Sequence, residues 1–242
     1  MPRYGGYPKH ITVAEKKAKA KKHIEKLRKK NPDISPVTIE GRKIAKTWWG
    51  EAWNKNLEKY ADYSNRIERG RAYVRHGSVL DLKIKKGSIS ALISGSRAKP
   101  YEVEIAISPL EAAIWDTVIK ECEGKIDSLQ ELIDGKFPKA LSDLFTVKDK
   151  GIFPSPKEIG FYCSCPDGAS MCKHIAAALY AIGARLDEDP KMFFELRNIK
   201  IEELISDAIS KKTKTLLKKS KIKSSRVIEE TDILDVFGVD VD

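Results

Sequence analysis

Between Tyr73 and Ile107 apolar and polar side chains alternate along the chain. Leu80, Leu82 and Ile84 take turns with Asp81, Lys83 and Lys85, and Ile89, Ala91 and Ile93 with Ser88, Ser90 and Ser94. Val103, Ile105 and Ile107 do the same with Glu102, Glu104 and Ala106. A period of two puts one set of side chains on one face of a strand. KKGS and GSRAKP separate the runs with turn residues. The pattern, traced from Tyr73, predicts an antiparallel meander of three or four strands with one buried face.

Elsewhere the period is helical. IAKTWWGEAWNKNLEKY places Ile44, Trp48, Ala52 (or Trp49, Trp53) and Leu57 at helical spacing, with Thr47 as N-cap. Its tryptophans share a face, which reads as core in preference to a base-stacking surface. SPLEAAIWDTVIKECEG follows the meander with Ser108 as N-cap and Pro109 in the first turn; IDSLQELIDGK and FPKALSDLF continue as helices. Cys122 reads there as an ordinary buried thiol. CKHIAAALYAIGARL repeats Ile175, Leu179, Ile182 and Leu186 as an amphipathic helix, and short helices start near Pro190 and Ile199. Near the beginning, residues 14–30 form helix readily but have a thin apolar stripe of Ala14, Ala18, Ile24 and Leu27. Such a helix is expected to order only on a partner. The predicted class is α+β, in four parts: a basic, flexible segment at 1–43, a sheet-containing domain at 44–147, a cysteine-bearing module at 148–210, and a disordered tail at 211–242.

Charge changes this picture at the ends. Residues 1–46 carry 14 Lys/Arg against 4 Asp/Glu, residues 211–226 carry 8 bases and no acid, and residues 227–242 carry 6 acids and no base. The intervening body is near neutral. Basic flanks of this kind neutralise phosphates and release counterions, although a solvated Lys-rich surface has the same composition. The longest nearly apolar stretch, IAAALYAIGA, is half of what a membrane span of about 20 residues needs. The opening residues lack the apolar run of a signal peptide. A soluble, cytoplasmic protein is expected, in which clustered cysteines bind metal instead of forming disulfides.

Such a cluster occupies FYCSCPDGASMCKHIAAALY. The spacing is Cys163-x-Cys165-x6-Cys172-x-His174. Cys163 and Cys165 project to one side of an extended strand, Pro166, Asp167 and Gly168 let the chain reverse, and Cys172 and His174 open the helix, with Ser170 as its cap. Three thiolates and an imidazole complete a tetrahedral set for one zinc ion, and soft sulfurs disfavour magnesium and calcium. With every position filled by protein the ion is structural. A zinc deaminase keeps one position open and sets a glutamate beside its histidine; here Lys173 and Ile175 flank His174. Phosphate loops, nucleophile elbows and zinc-protease motifs are absent from the sequence, and no enzymatic activity is expected.

CxC, a spacer and CxH before an apolar helix resemble the SWIM zinc finger, a ββα module. TWWGEAW, RIERGRAYVRHGSVLDLKI, GSISALISGSRAKPYEVEI, CSCPD, CKHIAAALYAIGARLDEDP and FELR extend the resemblance to prokaryotic SWIM zinc finger proteins across roughly residues 44–209. It implies that Cys163, Cys165, Cys172 and His174 are the ligands. It also implies DNA or partner binding without catalysis, beside Swi/Snf-type helicase-like ATPases.

Candidate nucleic-acid contacts lie around the finger. Lys173, between two ligands, suits a phosphate at the helix start, or offsets the net −1 left by three thiolates on Zn²⁺. Arg69, Arg71, Tyr73 and Arg75 form a second group, with Arg97, Lys99 and Tyr101 adjacent across the sheet; arginines with aromatics grip backbones and stack on bases. His76 reads as a turn residue. The sequence thus supports a zinc-stabilised nucleic-acid-binding module, with DNA favoured. The alternative is a protein-interaction adaptor that docks partners through its acidic, partly apolar tip at 227–242.

Overall fold

The computed structural model describes residues 11–58, 64–122 and 151–199, with isolated positions at 142, 146, 147, 206, 213 and 217. The chain divides into two units, Met1–Ile201 and Glu202–Asp242. All the elements named below belong to the first. The α+β class is as expected: a four-stranded antiparallel sheet packed with helices, followed by the cysteine segment and its helices.

The strands β1 (Val79–Lys85), β2 (Ser88–Ile93) and β3 (Tyr101–Ile107) pair in sequence order. Of the apolar residues that alternate along them, all but Ile84 are buried. The fourth strand, β4 (Ile159–Cys163), comes from the cysteine segment and pairs with β3, Cys163 opposite Val103. The finger's strand therefore has a body strand as its partner, and the boundary expected at 147/148 falls inside one unit. Ile152 and Phe153, read as connector, are core residues.

Across the sheet runs α5 (Lys173–Glu188), whose residues His174 to Ala184 are all buried. This corrects the amphipathic reading, because neighbours enclose the helix on every side. Its alanines make that enclosure possible by letting other backbones come close. A side chain at Gly70 would bring a Cβ within 2.6 Å of the Ala176 Cβ. Gly70 lies on α3 (Ser64–Arg75), which takes in Tyr73 to Arg75 where the strand pattern was expected to begin; Ile67, Gly70 and Val74 form its buried stripe. On another side lies α2 (Trp48–Glu58), capped as expected by Thr47, whose hydroxyl accepts from the Gly50 N–H at 3.2 Å. Trp53 and Trp49 donate their indole N–H groups to the Leu179 and Leu186 carbonyls at 3.0 and 2.9 Å. Trp53 is fully buried against Phe153 and Phe193, so it is core, as its position suggested.

The N-terminal region departs most from expectation. α1 (Val13–Arg28) begins with a capping box between Thr12 and Glu15, and its partner is the chain's own body. Ala20 is buried, Lys19 Nζ donates to the Gly95, Ser96 and Arg97 carbonyls at 2.6, 3.3 and 3.1 Å, and His23 Nδ1 meets Ser94 Oγ at 3.1 Å. Residues 35–37 then cover β1, through Leu82 N–H to the Ser35 carbonyl and Val37 N–H to the Val79 carbonyl. Ser35 N–H donates to the buried Asp81 carboxylate at 2.7 Å. Ordered structure thus precedes Ile44. Ala14 and Ala18 of the expected stripe are exposed, and the helix docks instead through Ala20 with the Lys19 and His23 side chains.

α4 (Ala112–Cys122) starts later than predicted. Ser108 is not its cap: its N–H bonds the Glu158 carbonyl and its carbonyl accepts from Arg197 at 2.7 Å. The Cys122 side chain, the helix expected at 126–136 and the helix near Ile199 lie outside the described residues, as do the helix expected at 137–145 and the tail at 211–242 except for Ser142, Thr213 and Leu217, which are helical. α6 (Lys191–Leu196) begins at Pro190 as expected.

Arg197, just past α6, is fully buried and pairs with Glu158 at 2.6 Å. Burial raises the Glu158 carboxyl, but the Ser155 N–H and the Arg197 guanidinium outweigh it and hold the group below its usual range. A carboxyl depressed on folding stabilises above its unfolded pKa of about 4.3, and that contribution is lost as pH falls through the folded value. Arg197→Ala strands a carboxylate and a carbonyl, and should cost about 3–5 kcal/mol by urea denaturation at pH 7. A loss below about 1 kcal/mol would show that the pair behaves like a surface ion pair.

Candidate metal centre

Four potential ligands meet where β4 ends and α5 begins. Cys163 closes β4, Cys165 follows in the bend, Cys172 is the N-cap of α5 and His174 lies in its first turn. Cys172, in place of Ser170, caps the helix: its sulfur accepts from the Ile175 N–H at 3.5 Å. A cap that is also a ligand suits a thiolate, which the helix N-terminus stabilises.

The ligand atoms of Cys163, Cys165, Cys172 and His174 all lie within 4.8 Å of one another. His174 Nδ1 is 3.8 Å from both the Cys163 and the Cys172 sulfur. Bonds of about 2.3 Å to sulfur and 2.0–2.1 Å to nitrogen give a tetrahedron with S–N edges of roughly 3.6 Å. The observed separations fit such an ion with little movement. Burial, with a smaller push from Lys173, lowers the His174 imidazole to about 4, which keeps it neutral, the form a metal requires. Burial also pushes the Cys163 and Cys172 thiols up. An ion supplies the positive charge that makes thiolates favourable at this site.

His174 is held in a cage. Tyr101 stacks on it with centroids 4.1 Å apart and planes at 23°, and Tyr73 presents an edge at 5.4 Å. Gly95 lies close to this pair of rings: a Cβ there would come within 3.2 Å of His174 Nε2 and 2.5 Å of the Tyr101 ring. Ser96 Oγ lies 3.1 Å from Tyr101 Oη, and the carbonyls of this loop are those that hold Lys19. The reversing loop is clamped separately by Arg66, which pairs with Asp167 at 3.0 Å. Lys19, Arg66 and Gly95 had no role in the sequence reading. GSR marked a turn and part of the family resemblance without saying what it contacts, and nothing local connects Lys19 with a loop 76 residues away.

Residues 161–183 match the SWIM zinc finger family. The chain carries a SWIM zinc finger. Such fingers are structural and binding modules, not catalytic ones. The chain is also 35% identical over 165 residues, 68% of its length, to the uncharacterized protein Rv2102 of Mycobacterium tuberculosis, and spans 59% of that relative. No solved structure matches it.

Around the SWIM finger the predicted contact residues separate. Lys173 is half-buried at the start of α5. Arg71 and Arg75 lie on α3 instead of facing Arg97 and Lys99 across the sheet. Arg71 pairs with Glu58 at 2.5 Å and donates to Tyr180 Oη at 2.9 Å, and Arg75 donates to the Arg42 carbonyl. Lys99 pairs with Glu102, and Arg97 lies over the Tyr101 ring. Tyr73 belongs to the histidine cage. His76 sits in the turn after α3, as expected.

Two outcomes follow for the metal. Loading the metal-free protein at pH 7 should release about three protons per ion, because neutral thiols become thiolates while His174 has no proton to lose. A pH-indicator titration reads this directly, and release of fewer than about one proton per ion contradicts the ligand set. Lys19→Met frees the 95–97 loop, and should hasten metal transfer to a chelator about tenfold; an unchanged rate contradicts the cage.

Proposed function

We propose that the chain is a non-enzymatic, zinc-stabilised module that binds nucleic acid, with DNA the favoured form. The ion is one structural Zn²⁺ held by Cys163, Cys165, Cys172 and His174. Three soft sulfurs select it over hard cations, and the closed set leaves no position for substrate. The role of the ion is to fix the start of α5 against β4.

The observation that supports nucleic-acid binding is the docked α1. Lys16, Lys17, Lys21, Lys22, Lys26 and Arg28 are exposed along it, while Lys19, His23 and Ala20 hold the helix to the body. Cations on an anchored helix meet a phosphate backbone without first being ordered, so the entropy cost of binding is lower. The basic stretch at 211–226 adds charge of the same sign. The alternative is a protein-interaction adaptor that docks partners through the acidic, partly apolar tip at 227–242, and the partner class that the SWIM resemblance implies is a helicase-like ATPase. Among the described residues no helix is long and apolar enough to cross a membrane.

Fluorescence anisotropy with labelled DNA at two salt concentrations tests the reading. Affinity should fall steeply with salt, and replacing Lys17, Lys21 and Lys22 by Gln should lower the log–log slope by about 0.7–0.9 for each phosphate no longer neutralised. No binding at low salt, or binding indifferent to salt, contradicts the proposal.

A further inference from the structure

Beside the metal centre is a cleft of about 420 Å³. α1 contributes Lys16 and Lys19 to its walls, α3 contributes Arg69 and Tyr73, the loop after β2 contributes Ser96, and the start of α5 contributes Lys173. No carboxylate is among the described residues that line it. Lys19 is occupied by its three carbonyls. The side chains of Lys16, Arg69 and Lys173 have no hydrogen-bond or ion-pair partner among the described residues. By contrast Arg71, Arg75 and Lys99 are engaged within the protein, as described above. Unneutralised charge therefore gathers from three separate helices at one concavity. His76, also in the lining, senses it: burial and then Lys16, Lys17 and Arg75 hold its imidazole below the ordinary range.

We infer that this cleft is a phosphodiester-binding subsite that takes one nucleotide of a single strand, with Lys16, Arg69 and Lys173 contacting the phosphate. The inference rests on the nucleic-acid reading above and specifies the form of ligand. Three helices supply the cations of one cleft, an arrangement suited to holding an anion. The volume lies within the range of small-ligand sites, about 300–1,000 Å³, enough for a phosphate with part of its nucleoside. A duplex carries its phosphates on a broad convex surface and reaches only the rim of such a cleft, whereas an unpaired strand can turn a phosphate inward. Ser96 adds a hydroxyl for phosphate oxygens. Ile11, Ala72 and the Tyr73 ring add apolar wall for a sugar or base, the combination of charge and aromatic surface found in single-strand binders.

The test uses the full-length, zinc-loaded protein with a labelled 12-nucleotide oligo-dT strand, the matching duplex, and dTMP and inorganic phosphate as competitors. Arg69→Ala with Lys173→Gln is the cleft variant, checked for zinc content equal to the parent, and Lys86→Gln at the β1–β2 turn is the control. The single strand should bind at least tenfold more tightly than the duplex. The cleft variant should bind at least tenfold more weakly and lower the salt slope by about 0.7 per cation removed, and the control should change nothing. Single strand and duplex binding alike, or a zinc-replete cleft variant that binds as the parent does, overturns this inference and leaves the broader function standing. Displacement by dTMP or phosphate at the strand's own nucleotide concentration assigns the site to free phosphates, and overturns it also. Failure of every nucleic acid to bind at low salt overturns both.

Discussion

Helix α5 is buried from His174 to Ala184, so the N–H groups of its first turn need partners within the protein. Cys172 meets this need through its sulfur, and the same sulfur belongs to the ligand set. An ion shared by Cys163, Cys165, Cys172 and His174 would join the end of the edge strand β4 to the start of the central helix. The rest of the body is arranged around that helix. Trp49 and Trp53 bond its carbonyls, Gly70 admits α3, and Arg185 and Asp187 near its end hold residues 35–36 and 46–47. A disturbance at the metal would therefore reach the main core.

A second consequence is that the finger is continuous with the sheet. β4 completes the meander that β1 to β3 begin, and Tyr101, the first residue of β3, stacks on His174 of the candidate metal centre. The loop between β2 and β3 lines the histidine cage and anchors Lys19, which links the basic N-terminal helix to the metal centre. Metal geometry and the cationic surface are thus built on shared backbone.

Much of this was legible from residue patterns. The alternation at 80–107 gave the strands because their two faces differ in polarity, and the cysteine spacing pointed to the Cys3His cluster because so few chemistries use three sulfurs and an imidazole so close together. α3 was harder to read, since Gly70 contributes to its buried stripe by absence of a side chain and Arg71 is tied to Glu58 and Tyr180 across the fold. The docking of α1 was hidden for a related reason. Its decisive bonds run from Lys19 and His23 to Ser94–Arg97, and polar pairings over such separations leave no periodic trace. The unneutralised set of Lys16, Arg69 and Lys173 comes from three helices and exists only once they are packed.

The clasp between strand and helix is the claim from which the rest follows. Zinc K-edge X-ray absorption on the purified protein examines it most directly, because the fine structure beyond the edge reports ligand type and distance at the ion itself. The account predicts three sulfurs near 2.3 Å and one nitrogen near 2.0–2.1 Å. A shell dominated by oxygen, or one with fewer than three sulfurs, would contradict it.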